Sequence, residues 1–208
     1  MVELADHPQV LEAGEVLVDR GVLAGEADAT APLNVYGQSK ARMEDALLGL
    51  DGEHLIIRTA AFFSPHDRHN FAVHAMARLH SGIPLQAAGD QIMSPTFVPD
   101  LCNAVLDLLI DGETGIWHLS NGEGLNWASF AERLALACGL DPDLVQPSPG
   151  IAIGWTAPRP ANSSLGTSRG ALLPSLDTAI ARFAEVWTGR HDHSIGEAPV
   201  TAMVAPET

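Results

Sequence analysis

Positive charge is scarce in this chain: 11 Lys+Arg stand against 26 Asp+Glu, for a formal net charge of -15. A surface for nucleic acid or anionic lipid needs clustered cations, so both partners are excluded. Any phosphate-bearing ligand must then be held by a few local arginines. Cysteine is nearly absent too. Cys102 and Cys138 each fall inside a helical apolar pattern, which suits free thiols in a reducing compartment rather than a disulfide scaffold. No window reaches the roughly 18 to 20 apolar residues of a membrane span, and the N-terminus lacks a basic region ahead of a hydrophobic core. A cytoplasmic location is expected. Tyrosine occurs once, at Tyr36, and neither serine nor threonine precedes Thr30.

Core material is plentiful. Of 208 residues 46% are hydrophobic, enough for a sizeable buried interior. Val16-Leu17-Val18 reads as a short strand, and Gly21 to Thr30 as a connection rich in Gly, Ala and Asp. From Leu33 to Leu50 the positions Val35, Met43, Ala46, Leu47 and Leu50 predict one amphipathic helix, stopped near Gly49 or Gly52. Leu55 to Thr59 is a short continuous apolar run, the pattern of a buried parallel strand, with Arg58 expected to pair with a buried carboxylate.

Helical spacing returns in Asn70 to His80, where Phe71, Ala75, Met76 and Leu79 form one stripe. A helix is predicted from Pro99 to Gly112 with Asp100 as its N-cap, another behind Asn126 up to Gly139, and a last one over Ser175 to Trp187. Leu85 to Ala88 and Gly115 to Ser120 read as strands, and Asp141 to Pro160 as a loop with one short edge strand. His191 to Thr208 shows no periodicity and is expected to be a mobile tail. Trp117, Trp127, Trp155 and Trp187 read as core or seam residues. His66-x-x-His69 and His191-x-His193 lack companion ligands at recognised spacing, so no metal site is predicted.

Pro32-Leu-Asn-Val-Tyr-Gly-Gln-Ser-Lys40 carries the chemistry. Four residues make slightly more than one helical turn, so Tyr36 and Lys40 project from one face. A phenol holds its proton tightly at neutral pH, and a nearby cation favours the phenolate. Such a pair can protonate a carbonyl oxygen as hydride reaches its carbon. It can also be an ordinary pair on a surface helix.

The whole string resembles the active-site helix of extended short-chain dehydrogenase/reductases. Within that superfamily it is most similar to the dTDP-4-dehydrorhamnose reductase branch. Three further stretches are similar to that branch: Arg58-Thr-Ala-Ala-Phe-Phe-Ser-Pro65, Asp90-Gln-Ile-Met-Ser-Pro-Thr96, and Arg159-Pro-x-Asn-Ser-x-Leu165. Ala61 stands where those reductases usually carry Trp, and Met93 where glycine is usual.

The resemblance implies an α/β fold, a partial Rossmann-like parallel sheet with a small mixed α/β substrate-binding lobe. It implies NADPH or NADH as cofactor and a nucleotide-diphosphate sugar as partner, the reaction being reduction of a 4-keto dTDP-sugar. Tyr36 would donate the proton and Lys40 orient the ribose, with Thr59 and Ala60 beside the nicotinamide. Ala61, Gln91, Thr96 and Arg159 would face the substrate. Arg159 suits a diphosphate, since a guanidinium fork matches phosphate oxygens, and equally suits a loop staple. Gln91 and Thr96 fit either sugar contacts or the backbone of their own turn.

A Rossmann half also needs a strand, a glycine-rich turn and a helix meeting the pyrophosphate, and no such pattern precedes Pro32. The family's catalytic Ser/Thr has no counterpart there either. The chain is therefore expected to be truncated or one piece of a longer or split protein. Its expected divisions are a lead over 1–31, the family-like part over 32–188 and a tail over 189–208. A missing N-terminal half, supplied upstream or in trans, would complete the site, and a homo-oligomer is the alternative partner expected. The same departures fit a non-catalytic nucleotide-sugar-binding or regulatory protein, or a fragment exposing unpaired strand edges.

Overall fold

The computed structural model describes residues 23–154 and 157–191. The Val16–Val18 strand, Trp155 and the segment after His191 lie outside the described residues. The first helix, α1, spans Val35–Leu48. Strands β1 (Leu55–Arg58) and β2 (Phe62–Phe63) follow, then α2 (Phe71–His80). Three short strands come next: β3 (Leu85–Ala88), β4 (Ile92–Met93) and β5 (Thr96–Phe97). Helix α3 (Val98–Ile110) leads to β6 (Gly115–His118) and β7 (Leu125–Asn126). The described part of the chain continues with α4 (Trp127–Ala137), β8 (Val145–Ser148), β9 (Asn162–Ser163) and α5 (Leu176–His191).

Parallel pairing dominates. β1 runs parallel to β6, β2 to β5, β3 to β8 and β4 to β9, while β7 joins β4 antiparallel. All of β1 is buried, as its unbroken apolar run requires. Its side chains alternate. Leu55 and Ile57, with Trp117 of β6, pack on Leu101, Val105 and Leu108 of α3. Arg58 points the other way and meets Glu44 of α1.

The larger core lies between α2, α4 and α5 and the strands β2, β3 and β8. Phe63 sits at its centre, with the rings of Phe97, Phe130 and Phe183 at 5.2, 5.1 and 6.0 Å between centroids. Met76, Leu134, Leu176 and Ile180 fill the space around them. Helix α2 buries Ala75, Met76 and Leu79 of its predicted stripe and packs the half-buried Phe71 against the same core. Asn70 and Asn126 cap α2 and α4 through side-chain oxygens that accept from Val73 and Ser129 N–H groups.

Three expectations need correction. Asp100 is not the N-cap of α3: Phe97 occupies that position, Pro99 falls in the first turn, and Asp100 is buried. Its carboxylate pairs with Arg182 and accepts from Asn121, partners too distant in sequence for a local rule to supply. The apolar stripe of α1 does not enter a core, since Val35 is 81% exposed, Ala46 and Leu50 are exposed as well, and Met43 and Leu47 are only half-buried. Finally α5 continues past Trp187 to His191, so residues 189 to 191 are helix rather than tail. Arg190 there donates to Pro65 O and lies 2.8 Å from His66 Nδ1.

Both cysteines are free, Cys102 exposed and Cys138 buried. Burial pushes the Cys138 thiol up to about 12. Among the described residues no helix is long and apolar enough to cross a membrane.

Candidate active site

Asn34 starts α1 from an extended backbone (φ -133°, ψ 170°), and its side-chain oxygen accepts from Gly37 N–H at 2.8 Å. Gly37 is held close to the preceding chain: a Cβ there would lie 3.1 Å from Cβ of Pro32. One turn on, the Lys40 ammonium stands 5.4 Å from the centroid of the Tyr36 ring. That is a cation–π distance, and it shows both side chains on one helix face. Tyr36 is 51% exposed. The cap also reaches across the molecule, since Asn34 Nδ2 donates to Pro158 O at 3.2 Å, beside the exposed Arg159.

Strand pairing brings the other three family-like stretches together. Phe62 pairs with Thr96 across β2 and β5, and Thr96 N–H donates to Ala61 O at 3.1 Å. Ile92 pairs with Asn162 and Met93 with Ser163 across β4 and β9, and Leu165 N–H donates to Ser94 Oγ at 2.9 Å. Met93 lies in regular strand with a negative φ, so its backbone makes no demand for glycine.

The individual candidates differ in what they present. Thr59 and Thr96 are both buried; Thr59 donates to Thr96 Oγ1 at 3.2 Å and Thr96 in turn to Ser94 O at 3.4 Å, so both hydroxyls are engaged inside the fold. Ala60 packs on Ala24 and Leu165. Gln91 is half-buried. Ala61 has φ 45°, the only non-glycine residue with positive φ among those described, and sits at the bend between β1 and β2. A Cβ in that region costs roughly 1–2 kcal/mol. A cavity of about 700 Å³ lies elsewhere, between α3 and Arg182 of α5, and none of these candidates lines it.

Beneath α1 lies a polar cluster only partly foreseen. Arg58 donates through Nε and Nη2 to the two Glu44 oxygens, at 3.0 and 2.5 Å. Its remaining nitrogen, Nη1, reaches Glu26 O, Asp28 O and His118 Nε2 at 3.3, 3.4 and 3.3 Å. His118 Nδ1 donates to Gly166 O at 2.8 Å and lies 3.1 Å from Ala24 O. Burial lowers the His118 pKa, with the Arg58 charge adding to it, against upward pulls from the Gly166 carbonyl and Glu26. The imidazole is therefore neutral and accepts from Arg58.

Glu26 closes the cluster. Its carboxylate accepts from Ser168 N–H at 2.9 Å, Thr167 OH at 2.5 Å and Ser168 OH at 3.0 Å. Burial, the largest single influence, raises its pKa, yet these hydrogen bonds together outweigh burial and bring it to about 2. The apolar run around Arg58 signalled a buried partner. Nothing in the sequence singled out Glu44, His118 or Glu26.

Comparison with known proteins decides the family. The family described as "RmlD substrate binding domain" matches residues 23–183. This chain belongs to that family. Among relatives of the RmlD substrate binding domain, a dTDP-4-dehydrorhamnose reductase of Mycolicibacterium smegmatis is 33% identical over 156 residues, 74% of this chain and 47% of that protein. The Mycobacterium tuberculosis dTDP-4-dehydrorhamnose reductase is 34% identical over 147 residues, 70% of this chain and 48% of its own. The chain thus spans about half the length of the curated relatives it matches.

Among solved structures, the Bacillus anthracis dTDP-4-dehydrorhamnose reductase in complex with NADP superposes with TM-score 0.73 at 28% identity. That match covers 79% of this chain and 60% of the other. A Clostridium acetobutylicum reductase of the same description gives TM-score 0.78 at 22% identity, over 86% and 64%, and supports the fold alone. The α/β, Rossmann-like architecture expected from the sequence is the one observed in these RmlD relatives.

Proposed function

We propose that residues 32–188 supply the substrate side and the proton-donating helix of a cytoplasmic nucleotide-sugar reductase, completed by a dinucleotide-binding half. The reaction is reduction of the 4-keto group of a dTDP-sugar. Tyr36 gives its phenolic proton to the carbonyl oxygen, and Lys40 keeps positive charge beside the ring. Bound NADPH or NADH supplies the hydride that reaches the carbonyl carbon. Tyr36 and Lys40, two polar side chains on one helix face, fit the ribose end of such a cofactor. Thr59 and Ala60 form the floor beside it, Ala61 and Gln91 face the sugar, fully buried Thr96 braces Ala61 from behind through its backbone N–H, and Arg159 takes the diphosphate.

One observation carries this reading. The Lys40 ammonium lies 5.4 Å from the Tyr36 ring on a helix whose cap is bonded to the residue before Arg159. A second reading, a non-catalytic binder of the same ligand class, is favoured by Ala61, a small residue in a strained bend beside Thr96.

Calorimetric titration of the purified chain with dTDP tests the ligand class. Saturable binding is expected, weakened about tenfold in Arg159→Met by loss of the bidentate fork. Absence of saturation sinks the reading. NADPH fluorescence should not saturate until a dinucleotide-binding half is added. If the completed assembly binds dTDP yet leaves a 4-keto dTDP-sugar unreduced, the non-catalytic reading stands instead.

A further inference from the structure

We infer that Glu44, Arg58 and His118 form a buried polar pin that positions α1, and with it the Tyr36–Lys40 pair, against the loop bearing Arg159. The inference rests on the reading of Tyr36 and Lys40 proposed above. It assigns Glu44, Arg58 and His118 a positioning role, since none of them reaches a reacting atom.

Of the 14 residues of α1 only Gly37 and Glu44 are buried, so Glu44 is the one side chain that carries the helix fully inward. Glu44 is met by a fork. Parallel bonds from Nε and Nη2 of Arg58 to the two carboxylate oxygens fix an orientation as well as a distance. A pair of apolar side chains would fill the space equally well and leave the helix free to rotate. Buried ion pairs contribute little net stability relative to such apolar pairs, so the gain here is geometric.

The fork is itself immobilised. Arg58 and His118 are register partners at the C-terminal ends of the parallel strands β1 and β6, where open α/β sheets place their ligands. Neutral His118 accepts from Nη1 of Arg58 and is tied in turn to the carbonyl of Gly166. Glu26, Asp28 and Gly166 thus hold the base of the pin from two separate segments. An α-helix advances about 100° per residue, so Tyr36, eight positions before Glu44, lies about 80° around the axis from it. With Glu44 pointing inward, Tyr36 is aimed sideways along the surface, which matches its half-exposed state. A rotation at Glu44 passes undiminished to Tyr36, because the hydrogen-bonded helix turns as one body.

Hydrogen exchange on the full chain, read by mass spectrometry alongside dTDP calorimetry, provides the test. In Glu44→Gln the peptides of α1 should exchange about tenfold faster while those of α2, α4 and α5 keep wild-type rates, and dTDP affinity should fall by a similar factor. Glu44→Asp should retain most of both. Arg58→Lys, which keeps charge and loses the fork, should behave like Glu44→Gln. Unchanged exchange in α1 overturns the inference. So does exchange that rises equally everywhere, or loss of the fold in Glu44→Gln and Arg58→Lys, since the pair would then hold up the whole molecule. Wild-type protein that fails to bind dTDP overturns the proposed function instead, and the exchange arm still decides the positioning role.

Discussion

Two parts of this molecule are held by different forces. On the α2, α4 and α5 side, Phe63, Phe130 and Phe183 are almost entirely enclosed, and packing is continuous from helix to helix. On the α1 side, Val35 and Tyr36 face solvent, and a forked ion pair and a cap bond do the holding. Area-driven packing is non-directional and tolerates exchange among apolar side chains. Directional polar contacts tolerate almost none. The α2, α4 and α5 side therefore folds on volume, and the helix with the proposed proton donor sits where a few specific groups put it.

Phe63→Ala should break the contrast most severely. It empties the middle of the aromatic cluster and should cost about 4 kcal/mol in urea unfolding. A loss below about 1 kcal/mol would mean the core collapses around the gap and is not tightly packed.

An intermediate effect belongs to Glu26. Its pKa in the folded chain, about 2, lies below its ordinary 4.5, so the unfolded chain takes up the proton first as pH falls. The stabilisation is complete above 4.5 and disappears as pH drops through about 2. Glu26→Gln should melt lower than wild type at neutral pH, and the gap in Tm should close across that window. A gap that stays constant with pH would show that the carboxylate charge is not what fastens residues 24–28 to the Ser168 loop.

Smallest of all should be Val35→Ser, within about 0.5 kcal/mol on the chain alone, because that side chain has little to lose. A larger loss would mean that this face of α1 is covered, and the two regions would then be more alike than their burial indicates.

Reading the sequence worked where neighbours decide. The unbroken apolar run of β1 announced a buried parallel strand, and Asn126 announced the start of α4. It failed where distant groups decide. Pro99-Asp100 looks like a helix start with its cap, yet Asp100 turns inward to Arg182, 82 residues away. The stripe of α1 reads as a core-facing surface, but periodicity reports only which residues share a face, not whether anything covers it. In the candidate site, the Tyr36–Lys40 alignment was legible because four-residue spacing fixes it. The engagement of Thr59 with Thr96 was not, since it depends on how β2 and β5 pair.

The amino-acid order alone thus settled the helices, the four-residue strands β1, β3 and β6 and which side chains share a helix face, because caps, turns and periodicity act over a few residues, whereas the two-residue strands β2, β4, β5, β7 and β9 exist only through their partners. Folding in three dimensions selected Glu44 as the carboxylate that meets Arg58, brought His118 within hydrogen-bond reach of the same guanidinium, and set α1 against Pro158. Those choices rest on contacts between segments 14 to 124 residues apart, which no local rule can rank before the strands have taken their register.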